Sequence, residues 1–138
     1  MMRYPVKLKP DSGGFVVTFP DVPGAITEGE SKDEALHHAL DALETIFMYI
    51  FGTGKLIPLP SSPKRAQGWV EVPASVAVKI LLHNEMVRQK VRPIELARRM
   101  GVPRQEVTRV LNLKHNTKID TTAQALAALG KRLELHVA

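Results

Sequence analysis

Two stretches near the start of the chain alternate between apolar and polar side chains, which is the pattern of a half-buried β-strand. Residues 3–9 and residues 15–19 both follow it, and residues 11–14 between them read Asp-Ser-Gly-Gly. Glycine takes positive φ without steric cost, so this sequence suits a tight turn. The pattern therefore predicts a β-hairpin, and residues 25–28 predict a short third strand. The apolar positions of the hairpin are Tyr4, Val6, Leu8, Phe15, Val17 and Phe19.

A single apolar stripe follows, with spacings of four and three residues, as expected of a helix that buries one face. Its members are Leu36, Leu40, Leu43, Phe47 and Ile50. Ser31 and Glu34 precede the stripe with the spacing of a capping box, in which the serine hydroxyl accepts a hydrogen bond from the third helical amide. Gly52 and Gly54 end the helix. Strands with one covering helix make this part of the chain an α+β unit.

From Pro73 onward the apolar spacing is helical. The predicted helices cover residues 74–90, 93–100, 103–111 and 121–129. Pro93 suits the first turn of the second helix, because the amide that proline lacks would be unpaired there. The side of the first of these helices that we expect to be buried comprises Val76, Ala77, Ile80, Leu81 and Val87. Residues 132–137 alternate once more and predict a terminal strand.

A proline-marked join separates these two parts. Residues 56–60 are too apolar for a free tether and are expected to lie extended on the first domain, whereas residues 61–68 form the linker. We divide the chain into an α+β domain over residues 1–67 and an all-helical domain with a terminal strand over residues 68–138. Residues 69–72 are expected to form a short strand or extended segment at the start of the second domain.

The composition excludes several classes of protein. The chain of 138 residues is 44% hydrophobic, which is enough for a packed core. It has no cysteine, so disulfides, thiolate zinc sites and a cysteine nucleophile are excluded. No apolar run approaches the roughly 18 residues of a membrane span, and the start of the chain has no signal-peptide core. We expect a cytoplasmic protein that does not contact a membrane.

Catalytic and metal-binding sites are not predicted. Metal-dependent strand cleavage needs carboxylates gathered around one or two cations, and the predicted strand residues of the first domain offer none. His37 and His38 are adjacent on one helix and point about 100° apart. We therefore expect no enzyme, no metal and no cofactor. The alternative of an RNA-cleaving enzyme would require that the purified chain cleave RNA by itself.

The net charge of +5 is unevenly distributed. Residues 1–67 carry seven basic and eight acidic side chains, whereas residues 68–138 carry twelve basic and six acidic ones. A basic half suggests nucleic-acid binding. The alternative is that the second half is one of many small basic domains that bind nothing.

Residues 93–111 have the spacing of a helix-turn-helix. Ala97 is small where two helices cross, Gly101 suits the left-handed residue of a tight turn, and Val107 anchors the next helix. The outer face of that helix carries side chains that suit base edges and phosphates. The residues that we assign to DNA contact are Arg104, Gln105, Thr108, Arg109, Asn112 and Lys114. The alternative is an ordinary helical hairpin with a solvated polar face.

Eight segments spread over nearly the whole chain carry a family resemblance. They are residues 2–6, 19–25, 27–30, 56–61, 70–73, 95–99, 112–115 and 117–120. Through them the chain resembles the HicB antitoxins of bacterial HicA–HicB toxin–antitoxin modules, in the branch with a helix-turn-helix tail. The second half also resembles the helix-turn-helix of phage repressors, where a polar cap and a glutamine usually open the recognition helix. Pro103 and Arg104 stand at those places here, and Gln105 follows.

The HicB resemblance implies two partners. It implies a first domain with a partial ribonuclease-H-like fold, which masks the site histidine of HicA, a small basic mRNA-cleaving toxin. It also implies a tail that binds the double-stranded operator DNA of its own operon as a dimer or larger assembly. Residues 21–44 hold seven acidic side chains against Lys32 alone, which suits a basic toxin or is simply an exposed acidic helix face. Toxin contact is assigned to Asp21, Glu28, Glu30, Asp33 and Glu34.

The predicted terminal strand needs a partner for its backbone. Its apolar face comprises Leu133, Leu135 and Val137. The partner is either residues 69–72 of the same chain or a second copy, which would set two recognition helices about one DNA turn apart. We favour the second copy and assign the three apolar residues to dimerisation.

These patterns lead to one functional expectation and one alternative. The expected function is an antitoxin that also represses its own operon. The alternative is a stand-alone helix-turn-helix regulator whose first domain senses a ligand or oligomerises.

Overall fold

The computed structural model describes residues 2–138, so Met1 of the predicted first domain lies outside the described residues. The described residues form an α+β protein with a four-stranded antiparallel sheet and five helices. They divide into two compact units. The first comprises the residues up to Gly52 together with Pro58–Ala74, and the second comprises Thr53–Ile57 together with Ser75–Ala138.

The sheet lies in the first unit. Its strands are β1 (Arg3–Asp11), β2 (Gly14–Thr18), β3 (Ile26–Gly29) and β4 (Gly68–Glu71), and helix α1 spans Lys32–Thr53. The strands lie in the order β3-β2-β1-β4, and each neighbouring pair is antiparallel. Ser12 and Gly13 have φ values of 48° and 83° in the turn between β1 and β2. The predicted hairpin and third strand are confirmed.

Helix α1 begins with the predicted cap. The amide of Glu34 donates to Oγ of Ser31 at 3.1 Å, and the Glu34 carboxylate accepts from the amide of Glu30 at 3.3 Å. Position 29 must be glycine, because a Cβ there would lie 2.4 Å from the amide nitrogen of Ala35. The fully buried line of the helix is Ala35, Ala39, Leu43 and Phe47. The remaining members of the predicted stripe are half-buried beside it: Leu36, Leu40 and Ile50.

Residues 69–72 lie in the first unit rather than the second. Tyr4 pairs with Val70 in the β1–β4 register, and the amide of Val72 donates to the carbonyl of Met2 at 2.9 Å. The segment therefore covers the open edge of β1, whose main-chain groups on that side gain partners, and β4 becomes the outer strand of the sheet. The first unit extends to Ala74, past the predicted boundary at residue 67.

The second unit is helical. It contains α2 (Ala74–Gln89), α3 (Pro93–Met100), α4 (Arg104–Val110) and α5 (Ile119–Ala128). Pro93 stands in the first turn of α3, and Gly101 ends that helix with a φ of 68°. The core of the unit includes Leu82, Met86, Leu96, Ala97, Val107, Val110, Ala125, Leu126 and Leu129. The four predicted helices are confirmed.

The buried side of α2 differs from the predicted one. Val76 and Ile80 are buried as expected, but Leu81 is 38% exposed. Three polar residues are buried as well: Lys79, His83 and Asn84. Each of the three has hydrogen-bonding partners inside the second unit, which the spacing of apolar residues could not reveal.

The apolar segment over residues 56–60 divides between the two units. The hydroxyl of Tyr4 donates to the carbonyl of Pro58 at 2.7 Å, which agrees with the expectation that this segment lies on the first domain. Ile57 instead belongs to the second unit. Its amide donates to Oδ1 of Asn84 at 2.8 Å, and its carbonyl accepts from Nδ2 of the same side chain at 3.0 Å.

The terminal strand predicted over residues 132–137 does not form within the chain, where residues 131–138 are in neither a helix nor a strand. The candidate neighbour within the chain, residues 69–72, pairs with β1 as the outer strand of the sheet, and residues 132–137 do not pair with its other edge. Leu133 is half-buried against the core of the second unit. Leu135 and Val137 are 75% and 93% exposed.

Candidate nucleic-acid interface and acidic cleft

The connection between α3 and α4 directs the polar side of α4 outward. Gly101 is left-handed, and the amide of Val102 donates to the carbonyl of Ala97 at 3.1 Å. Leu96 of α3 and Val107 of α4 contribute to the same core. Because these apolar faces are buried, the opposite face of α4 lies in solvent.

All six residues assigned to DNA contact are exposed. They are Arg104, Gln105, Thr108, Arg109, Asn112 and Lys114. The guanidinium group of Arg109 lies 3.0 Å from the carboxylate of Glu106. An ion pair at the surface contributes little free energy, so Arg109 can exchange this partner for a phosphate. Asn112 Oδ1 accepts from the amide of Lys114 at 2.9 Å, which orders the start of the loop after α4.

Sequence reasoning missed Lys79, which lies beneath this surface. Lys79 belongs to α2 and is 1% exposed. Its Nζ lies 3.4 Å from the carbonyl oxygen of Arg109, 2.7 Å from those of Asn112 and His115, and 2.9 Å from Oγ1 of Thr117. Burial lowers the pKa of Lys79. In the sequence, the only sign that Lys79 is buried is its position between the apolar residues Val78 and Ile80.

An open cleft of about 940 Å³ lies in the first unit, between the β1–β2 turn, the end of β3 and the start of α1. Its acidic lining residues are Asp11, Glu28, Glu30 and Glu34. Nδ1 of His38 donates to the carbonyl of Glu28 at 3.0 Å, and Phe15 supplies an apolar part of the wall. Converging negative charges at a surface suit a cationic protein partner.

The five acidic residues assigned to toxin contact do not form one group. The cleft brings together three of them: Glu28, Glu30 and Glu34. The Asp21 carboxylate instead accepts from the amide of Ser61 at 2.7 Å and from its hydroxyl at 2.9 Å. Burial, and after it the charge of Asp21, raise the pKa of Tyr4 above its usual value. Asp33 is exposed in the first turn of α1 and does not line the cleft.

The described titratable residues outside these two surfaces form no metal site. Within residues 2–138, no three histidine, aspartate or glutamate side chains are grouped so as to hold a metal ion. His83 is buried, and its Nε2 donates to the carbonyl of Lys55 at 2.7 Å. Burial lowers the pKa of His83, and this hydrogen bond only partly opposes the effect.

None of the helices within residues 2–138 is long and apolar enough to cross a membrane.

Comparison with known proteins finds antitoxins. The sequence model for the HicB-like antitoxin of bacterial toxin–antitoxin systems matches residues 3–81. The chain is 49% identical over 137 residues to Antitoxin HicB 1 of Photorhabdus laumondii, covering 99% of this chain and 87% of that protein. It is 50% identical over 135 residues to Antitoxin HicB of Escherichia coli strain K12, covering 97% of this chain and 98% of that protein.

A more distant relative matches along the same length. Antitoxin HicB of Pseudomonas fluorescens is 31% identical over 138 residues, which covers 99% of this chain and 94% of that protein. The match to the family model ends within α2, whereas the matches to these relatives continue through the second unit.

Proposed function

The chain belongs to the HicB-like antitoxin family of bacterial toxin–antitoxin systems, and on that premise we propose that it has two binding functions. The first unit binds and masks a small basic mRNA-cleaving toxin of the HicA kind in the cytoplasm. The second unit binds operator DNA and represses the operon that encodes both proteins. An antitoxin acts by binding, so neither function needs a catalytic residue.

The observation that carries the toxin-binding function is the similarity to antitoxins over nearly the full chain. The acidic cleft adds a surface of suitable charge, because a ribonuclease that binds RNA is expected to be basic. Glu28 and Glu30 are exposed and line that cleft. The antiparallel sheet with one covering helix also agrees with the proposed partial ribonuclease-H-like fold.

The proposed operator binding treats the α3–α4 pair as a helix-turn-helix with α4 as its recognition helix. Arg104 and Gln105 stand at the start of α4 with exposed side chains. Arginine and glutamine can pair with base edges in the major groove. The excess of basic residues in the second half supports the approach to phosphates.

We extend the proposal to a homodimer or higher oligomer that assembles through residues 131–138. Leu135 and Val137 are exposed, and the segment joins no sheet within its own chain. Pairing with the same segment of a second copy would satisfy both backbones and cover both apolar side chains. A two-fold symmetric pair could then read a palindromic operator, whose half-sites lie roughly 34–36 Å apart.

Co-expression tests the antitoxin function. The proposed HicA-like toxin is expressed alone and then with the full-length chain. We expect growth arrest by the toxin alone and recovery when both proteins are made. Persistent arrest despite folded, abundant antitoxin would contradict toxin masking.

Binding of DNA from upstream of the operon tests the second function. We expect an affinity that falls steeply as salt rises, because phosphate contacts release counterions. A chain that neutralises the toxin yet fails to bind this DNA at low salt would contradict operator binding alone.

A further inference from the structure

The buried ammonium group of Lys79 contacts the stretch of backbone that carries three of the proposed DNA contacts. Its Nζ lies 3.4 Å from the carbonyl oxygen of Arg109 and 2.7 Å from that of Asn112. It also lies 2.7 Å from the carbonyl oxygen of His115, one residue beyond Lys114. One cation therefore holds the end of α4 and the loop that follows it.

Carbonyl oxygens that converge on one point explain why a cation is suitable here. Those of Asn112 and His115 lie beyond the end of α4, and that of Arg109 lies in its last turn, where positive charge is favourable to the helix dipole. An ammonium group has three N–H donors and no acceptor. The three shortest contacts of Lys79 are at 2.9 Å or less and match these three donors; they are with Asn112, His115 and Thr117.

We propose that Lys79 is a positioning residue for operator recognition. It does not touch DNA itself, because it is 1% exposed. It fixes the backbone of residues 109–117, so that the exposed side chains of Arg109, Asn112 and Lys114 meet DNA in one orientation. A binding site works only when its contact groups are held within about 0.5 Å of the productive geometry. The inference rests on the proposed operator binding and adds the residue through which α2 supports it.

A purely structural role for Lys79 would give a different result. If Lys79 only stabilised the core, replacing it would lower the melting temperature, and operator affinity would fall only as the unfolded fraction grew. Val78 provides the matched control, because it is the adjacent buried residue of α2, at 6% exposure. Val78→Ala removes buried methyl groups and destabilises the fold, but it removes no donor to residues 109–117.

The experiment compares the wild-type chain with Lys79→Met, Lys79→Arg and Val78→Ala at a temperature where circular dichroism shows all of them folded. We expect Lys79→Met to bind operator DNA about tenfold more weakly, as expected for the loss of a well-placed base contact. Its affinity should also depend less steeply on salt, since phosphate contacts are lost. Amide hydrogen exchange in residues 109–117 should be faster. Lys79→Arg should recover part of the affinity, and Val78→Ala should bind as wild type does.

Thr117→Val keeps the proposal testable if Lys79→Met does not fold. It removes one acceptor of the ammonium group, and we expect operator binding about threefold weaker, in line with a single hydrogen bond. Wild-type affinity in Lys79→Met, or an equal loss in Val78→Ala, would overturn the positioning role while operator binding stands. A wild-type chain that does not bind the operator would overturn the proposed function itself. Unchanged amide hydrogen exchange in residues 109–117 of Lys79→Met would show, whether or not the chain binds DNA, that Lys79 does not fix that backbone.

Discussion

Arg104 and Gln105 open α4 with both side chains in solvent, and the preceding cap residue, Pro103, makes no side-chain hydrogen bond. Later in the helix, Arg109 is engaged with Glu106 and its carbonyl is engaged with Lys79. The first two residues are therefore the ones whose replacement should affect DNA binding without affecting the helix.

Replacing Arg104 and Gln105 together by alanine is expected to weaken operator binding at least tenfold, because one base contact contributes about 1–3 kcal/mol. The melting temperature should change little, since both side chains are exposed. Arg65→Ala, at an exposed arginine of the first unit, is the control and should bind as wild type does. Fluorescence anisotropy with operator DNA measures the difference. A double variant with wild-type affinity would show that α4 does not read the operator.

His83 should make stability depend on pH. Its pKa lies below the usual 6.5 because the side chain is buried. The unfolded chain therefore takes up a proton that the folded chain resists, and the free energy of unfolding falls as the pH drops below about 6.5 towards the folded-state pKa. Above about pH 6.5 the stabilisation that comes from keeping His83 neutral in the folded chain is fully present.

Thermal unfolding at about pH 7.5 and about pH 5 measures this dependence. Wild type should lose more of its melting temperature on acidification than His83→Gln, in which an amide can still donate to the carbonyl of Lys55. His136→Gln, at an exposed histidine, should follow wild type. Equal losses in wild type and His83→Gln would remove His83 as the cause.

The elements differ in how their ends and edges are closed. Helix α1 is capped by Ser31, and the edge of β1 is covered by β4. Residues 131–138 have neither arrangement: Leu133 rests on the core, while Leu135 and Val137 remain exposed. A second copy of the chain can therefore pair with this segment and cover its exposed apolar side chains.

Leu135→Asn combined with Val137→Asn should reduce the oligomeric mass measured by sedimentation. Operator binding should fall sharply, because two linked half-site contacts become two separate ones. The fold should survive, since the variant leaves the partly buried Leu133 unchanged. Toxin neutralisation should also persist. An unchanged mass together with normal operator binding would show that this segment does not make the dimer.

The whole molecule carries opposite charge features in its two units. The cleft of the first unit is acidic, and the second half of the chain has twice as many basic as acidic side chains. The two functions should therefore be separable by mutation. A fragment ending at residue 67 would lack β4, which completes the sheet, so the separation is best tested in full-length chains.

Glu28→Lys combined with Glu30→Lys should abolish growth rescue by placing positive charge against a basic toxin. The same chain should still bind its operator. Arg104→Ala with Gln105→Ala should show the reverse, with rescue intact and operator binding weakened at least tenfold. Asp41→Lys is the matched charge reversal, because Asp41 is exposed on α1 outside the cleft. Equal loss of rescue in Asp41→Lys would argue against the cleft as the toxin surface.

The sequence by itself determined the order and type of the five helices and of strands β1 to β3, but it also predicted a terminal strand that does not form. Alternation and helical spacing report which side of an element is buried, and Gly101 and Pro93 mark ends that depend on local backbone geometry alone. The exposed polar face of α4 followed from the same spacing. Similarity along nearly the whole chain then determined the family.

Only the tertiary structure decided how distant segments pair. The sequence of a short strand such as β4 does not show which edge of a sheet it joins. In the structure it pairs with the open edge of β1, which places it in the first unit. Among the described residues, 131–138 pair with no strand, although the outer edge of β4 is not paired. Lys79 and Asn84 are polar residues that became buried because main-chain oxygens and amides far along the chain satisfy them. Local periodicity cannot report such partners, since they exist only once the chain has folded.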